Sequence, residues 1–137
     1  KSENQVKFMR AIDYNWLIAQ SAFLAQVTET IDHRGDEIEF VFEVMPPLLA
    51  PTRQSLVRVG AEEIEMTDDA GRTMMLLEPH WVDDVFAAGL RYVDPRHEGL
   101  TIDRYIEDGK MVEHVKYPAK DVEMRRIFVK KACVEKA

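Results

Sequence analysis

The chain has 137 residues, enough for one domain with a core of its own. Hydrophobic residues make up 46% and charged residues 31%, the composition of a soluble globular protein and not of a disordered tail or a membrane span. The net charge of −7 argues against a phosphate-backbone binder, which needs a basic stripe, so no nucleic acid is expected as partner.

The longest apolar run, Trp16 to Ala25, is interrupted by Gln20 and Ser21 and is too short to span a bilayer. The opening Lys-Ser-Glu-Asn-Gln carries no h-region, so a cytoplasmic location is expected. A secreted form stays open, because the native N-terminus can lie upstream. Cys133 stands alone, which leaves no internal disulfide and no thiolate metal site and fits a reducing compartment. His33, His80, His97 and His114 lie far apart, without metal-ligand spacing. No metal or cofactor is expected.

Gln5 to Ile12 places Val6, Phe8, Met9 and Ile12 on one face of a short helix, with Asn4 at the N-cap position. Asp13 and Asn15 suit a turn, and Asn15 can cap a second short helix from Trp16 to Ala25. After Gln26 the period changes to two. Val27 to His33 is a strand, Arg34-Gly35-Asp36 a turn, and Glu37 to Val44 alternates with Ile38, Phe40, Phe42 and Val44 on one face. Pro46, Pro47 and Pro51 mark a loop. Arg53 to Val59, Glu62 to Thr67 and Arg72 to Glu78 follow as strands. Pro79 to Gly99 reads as one strand around Phe86 to Val93, and Trp81 to Leu90 fits a helical insert equally well. Leu100 to Glu107, Lys110 to Lys116 and Val122 to Lys130 complete nine strands.

Short strands joined by hairpin turns predict a mainly β fold, an antiparallel up-and-down barrel. The helices at 5–25 would form its lid and residues 26–130 its meander, all within a single domain, 1–137. A barrel of this size has either a filled core or a ligand cavity, and periodicity does not choose between them.

Several local words, in order, carry a likeness. Ser2-Glu3-Asn4 with Phe8-Met9-Arg10-Ala11 looks like "SEN…YMKA". Val57 to Glu65 looks like "FKLGEEFDE" with one residue inserted, and Asp68 to Arg72 like the "ADGR" turn. Thr101 to Arg104 and Glu107 to Val112 look like "TIKR" and "DGKLV", and Met124 to Phe128 like "CTRIY". Together they resemble the intracellular fatty-acid-binding proteins, which include the cellular retinoid carriers and have a calycin-type barrel. That resemblance spans nearly the whole chain. It implies a non-enzymatic, monomeric carrier of long-chain fatty acids or related lipids that touches membranes transiently through its lid. The departures are a leading Gly-x-Trp strand, which is expected to be absent here, and an excess of residues within Pro79 to Gly99.

Alternation through Thr101 to Glu107 puts Ile102, Arg104 and Ile106 on one face. If that face points inward, Arg104 is a desolvated cation that a ligand anion or an internal acid must neutralise. If the other face does, Arg104 is solvated. The resemblance puts Arg104 and Arg126 inside as the grip on a ligand carboxylate, a task that suits the guanidinium fork. Phe128 stands where the family has a third, tyrosine member. Arg125 and Arg126 also fit a surface basic pair. The resemblance further implies a cavity with Met9, Phe40, Phe42, Arg72, Ile102 and Ile106, and a portal with Phe23, Leu24, Val27, Leu48 and Leu49. Ordinary helix-on-barrel packing accounts for the portal side chains as well. Methionines at 9, 45, 66, 74, 75, 111 and 124 would let a cavity adapt to flexible chains, or simply fill a core.

Catalysis finds little support. Glu113 and His114 are neighbours on a strand and point to opposite faces, and Asp83-Asp84 with His80 are the other tempting group. A small enzyme or an interaction module on a filled barrel remains the rival reading.

Overall fold

The computed structural model describes residues 2–11, 26–45, 52–67, 72–93 and 99–130. The chain runs β1 (Ser2–Glu3), α1 (Gln5–Ala11), β2 (Gln26–Arg34), β3 (Glu37–Met45), β4 (Arg53–Arg58), β5 (Glu63–Thr67) and β6 (Thr73–Val82). It continues with β7 (Val85–Tyr92), β8 (Leu100–Glu107), β9 (Lys110–Tyr117), a 3-10 turn (Pro118–Lys120) and β10 (Val122–Phe128). The strands pair antiparallel in two sheets, β2-β3-β4 and β1-β10-β9-β8-β7-β6-β5. The expected meander barrel is therefore present. Ser2–Glu3 adds a tenth strand among the described residues; two residues carry no readable period, but they pair with Arg126 and Arg125 of β10.

β4 and β5 follow one another in sequence yet belong to different sheets. At that seam Arg53 Nη1 donates to the Thr67 carbonyl at 2.8 Å. A side chain thus supplies a hydrogen bond where the backbone ladder is interrupted, which ties the Arg53 guanidinium to the barrel wall.

Alternation decides what faces inward. The Ile38, Phe40 and Phe42 side chains of β3 are 3%, 2% and 4% exposed, so the face chosen from sequence is the buried one. It meets Val57 of β4, Leu76 of β6, the even-numbered face of β7 from Phe86 to Tyr92, Leu100 and Ile102 of β8, Val115 and Tyr117 of β9, and Met124 of β10. Phe8 and Met9 of α1 close the same core from above. The helix starts where expected. Asn4 adopts φ +60°, a conformation asparagine tolerates, and its carbonyl accepts from the Phe8 N–H at 2.9 Å.

The stretch after Pro79 is a hairpin, not a helix. β6 continues to Val82, turns at Asp83-Asp84 and returns as β7. Between Leu77 and His80 the ladder shifts register, and Glu78 has φ +47°. This bulge changes the inward parity of β6 from even to odd. Trp81 therefore faces its partner Phe86 (ring centroids 5.0 Å apart) and stacks on His33 of β2 at 5.8 Å, closing that end of the barrel. The β8–β9 hairpin turns over two residues as well. Asp108 and Gly109 have φ +52° and +74°, the two positive values that a two-residue Asp-Gly turn requires.

The second helix expected from Trp16 to Ala25 and the proline loop 46–51 lie outside the described residues.

Candidate functional site

Neighbouring strands carry their charged inner residues in register. Arg104 of β8 pairs with Glu113 of β9, and Glu113 pairs in turn with Arg126 of β10. All three project inward, because each shares its face with buried apolar residues: Ile102, Val115 and Met124 respectively. The inward reading of both arginines is thus the one the backbone adopts.

Glu113 sits between them. Its Oε1 accepts from Arg126 Nε at 3.1 Å and Nη2 at 2.6 Å, and its Oε2 accepts from Arg104 Nη2 at 3.2 Å. The Glu113 side chain is 2% exposed and that of Arg104 is 9%. Burial alone would push the Glu113 carboxyl up; Arg126 and Arg104 outweigh it and hold the group down at about 2. The internal acid required by a desolvated arginine is therefore built in. Arg104 also lies over the Phe40 ring at 4.3 Å, and Arg126 and Arg53 lie 5.9 Å and 4.9 Å from the Phe42 ring centroid. Rings beneath guanidinium groups replace part of the lost hydration.

Across the lumen, Glu29 of β2 pairs with Phe42 and so faces inward as well. Its side chain is 1% exposed, and Oε1 lies 3.8 Å from Arg104 Nε. Neither Glu29 oxygen has a hydrogen-bond partner, and neither has Arg104 Nε. Burial, reinforced by the Glu113 charge, raises this carboxyl to about 7 against the opposing pull of Arg104, Arg126 and Arg53. Two acids in one lumen thus differ widely in proton affinity, one gripped by two arginine forks and the other beside a guanidinium without a hydrogen bond.

Above this charged level the barrel encloses a cavity bounded by Met9, Met66, Met74, Leu90, Leu100, Met124 and further apolar side chains, with Arg53, Arg104, Glu113 and Arg126 in its wall. The space between its lining atoms, mouth included, is about 790 Å³; the centre of a water-sized sphere can range over about 100 Å³ of it. The lumen is narrow, and a chain entering it must displace side chains. Flexible methionines offer the least resistance to that.

Of the residues expected in the cavity, Met9, Phe42 and Ile102 line it. Phe40 is buried beneath Arg104 and supports it without reaching the wall. Arg72 packs over the ring of Tyr92, a wall residue, at 4.8 Å. Ile106 does not belong: it is 70% exposed, because its pair with Met111 adjoins the hairpin tip, past the covered part of the inner face. Phe128 is half-buried on the inner face of β10, with its ring centroid 5.9 Å from Arg126 Cζ. Of the expected portal residues, Val27 is half-buried and packs against the core, while Phe23, Leu24, Leu48 and Leu49 lie outside the described residues.

Sequence alone weighed Glu113 only as a neighbour of His114 and did not single out Glu29 or Arg53, although a signal for the two acids existed. Met111, Glu113, Val115 and Tyr117 alternate as one face, as do Val27, Glu29 and Ile31. A charge interrupting an apolar face is the mark that finds such residues.

No protein-family model matches the chain, and no curated protein sequence matches it. Solved structures do. A fatty acid transporter, REP1-NXSQ, superimposes with a TM-score of 0.82 at 20% identity, over 98% of this chain and 92% of that one. Lipid binding protein 8 of Caenorhabditis elegans gives 0.80 at 20% identity, over 96% and 89%. Human cRBP IV gives 0.78 at 15% identity, over 96% and 92%. The chain has the fold of these lipid-binding barrels.

Proposed function

We propose that the protein is a non-enzymatic carrier that binds one long-chain fatty acid or related lipid inside the barrel. The tail lies among the methionines and leucines of the cavity, and the head group meets Arg104 and Arg126. The observation that carries this reading is the cavity itself, an apolar lumen whose wall includes buried guanidinium groups. The similar structures include a fatty acid transporter and a lipid binding protein, which supports the same reading. The carrier works as a monomer in the cytoplasm, with transient membrane contact through its helical lid. Among the described residues no helix is long and apolar enough to cross a membrane.

Tail and head make separable contributions. An arginine that meets the head group discriminates anions from alcohols, whereas an arginine that only supports the fold does not. Arg126→Leu should weaken binding of palmitate more than that of hexadecanol, read by displacement of a fluorescent probe. An equal loss for both ligands would assign Arg126 a structural role only.

Phe128 lies next to that head-group position without a polar atom to offer. A hydrogen bond to a charged group contributes about 1.5–3 kcal/mol, so Phe128→Tyr should tighten palmitate binding by up to about tenfold, the lower part of that range. The alcohol of equal length should show no gain. Unchanged affinity for the acid would place the head group away from this residue.

A further inference from the structure

Among the charged groups of the lumen, Glu29 and Arg104 Nε stand out as buried polar atoms without hydrogen bonds. They face one another at 3.8 Å, too far for a hydrogen bond and close enough to share a third atom. Arg104 lines the cavity and Glu29 lies behind it, so a ligand oxygen that moves in beside Arg104 to ordinary hydrogen-bonding distances of about 2.6–2.9 Å from both would bridge them. Arg104 Nε brings an N–H. An ionised Glu29 brings only lone pairs and would repel an anion; a protonated Glu29 brings an O–H that donates to it.

We propose that Glu29 is a head-group residue for anionic ligands: it takes up a proton as the anion enters and, as a neutral acid, donates a hydrogen bond to the head group beside Arg104 Nε. This inference rests on the carrier reading above and adds to it a binding residue and a co-bound proton. The solvent supplies the proton, and the complex then holds ligand anion, proton and protein with one negative charge fewer than the separate ions would give. The arrangement also leaves Glu113 in place, so the anion has no need to displace it from the arginine forks.

The groups that face Glu29 fix the direction of the effect. Arg104 of β8, Arg126 of β10 and Arg53 of β4 favour its ionised form, and Glu113 of β9 and burial disfavour it. The balance leaves Glu29 titrating at about 7 without ligand. An added anion can only move that value upward. The complex therefore binds more protons than the free protein, and by linkage affinity falls as pH rises above 7. Below about pH 6 Glu29 is protonated in both forms, and its contribution to the pH dependence vanishes.

Calorimetric titration in buffers of different ionisation enthalpy tests this, with laurate, dodecyl sulfonate and dodecanol as probes. At pH 7.5 the protein should take up about half a proton or more per laurate bound, and its affinity should fall about three- to tenfold between pH 7 and 8.5. Dodecyl sulfonate, whose head group stays ionised throughout, should show the same uptake, which separates protonation of the protein from protonation of the ligand. Dodecanol should show none. Glu29→Gln should bind both anions with no proton uptake and no pH dependence in this range. Laurate binding without uptake would overturn the role of Glu29 and leave the carrier reading standing, and so would equal uptake by the Gln variant. Absence of binding by every probe would overturn both. The comparison of sulfonate with alcohol needs no variant, so sulfonate binding without proton uptake overturns the proposal even where Glu29→Gln does not fold.

Discussion

Glu113→Gln should lower the stability of the ligand-free protein by about 3–5 kcal/mol, the cost of leaving a buried charge without its partner. The reason lies in the geometry of the lumen. Arg104 and Arg126 stand on strands either side of β9, and Glu113 is the carboxylate that accepts from both. Glutamine keeps the length and shape of the side chain and can still accept a hydrogen bond, but it removes the negative charge. Two guanidinium groups then face each other across one strand in a medium that screens them poorly. A saturating fatty acid should restore much of the loss, because its carboxylate supplies the missing charge; the ligand should therefore stabilise the variant more than the parent. Urea unfolding with and without palmitate measures both effects. Replacing all three groups with apolar residues of similar volume should cost far less than the single change. An unchanged urea midpoint for Glu113→Gln would show that the arginines are solvated, contrary to the arrangement described above.

The barrel was legible because most of its strands carry a period of two with one apolar face. Glu37 to Val44 shows this plainly, and its inner set, Ile38, Phe40, Phe42 and Val44, is the buried set. The hairpin at Asp108-Gly109 was legible for a different reason, since that dipeptide tolerates the two positive φ values of a tight turn. β6 resisted reading because a bulge changes its parity halfway along. No local pattern at Leu77-Glu78-Pro79 announces that Trp81 turns toward Phe86, and the turn depends on pairing with β7. Ile106 failed in the opposite way. Its face was correctly assigned, but burial also depends on what stands opposite, and next to the hairpin tip little does.

The charged lumen was half legible. Arg104 and Arg126 could be picked out by likeness to a family, and the need for a neutralising acid followed from desolvation alone. Which acid supplies it was not legible, because the answer is a register. Glu113 meets both arginines only since β8, β9 and β10 pair with Arg104, Glu113 and Arg126 in one row. Sequence spacing of 9 and 13 residues says nothing about that row until the hairpins are fixed. Glu29 is further still from local inference, as its relation to Arg104 crosses from one sheet to the other.

The central claim is that the lumen holds a lipid tail, and affinity across saturated fatty acids of increasing length tests it most directly. Burying a methylene contributes about 0.8 kcal/mol, so the six added between decanoate and palmitate contribute roughly 5 kcal/mol before the cost of ordering the chain and moving side chains. Every acid in the series carries the same head group, so the arginines and Glu29 contribute equally throughout and cancel. The lumen is narrow, and each added methylene must displace methionine or leucine side chains, which reduces the gain without reversing it. Isothermal titration of decanoate, laurate, myristate and palmitate should therefore show the dissociation constant falling at every step, by at least about a hundredfold over the series, which is roughly half of that energy. A flat series, with equal affinity from ten carbons to sixteen, would contradict the claim and leave a barrel that is filled by its own side chains.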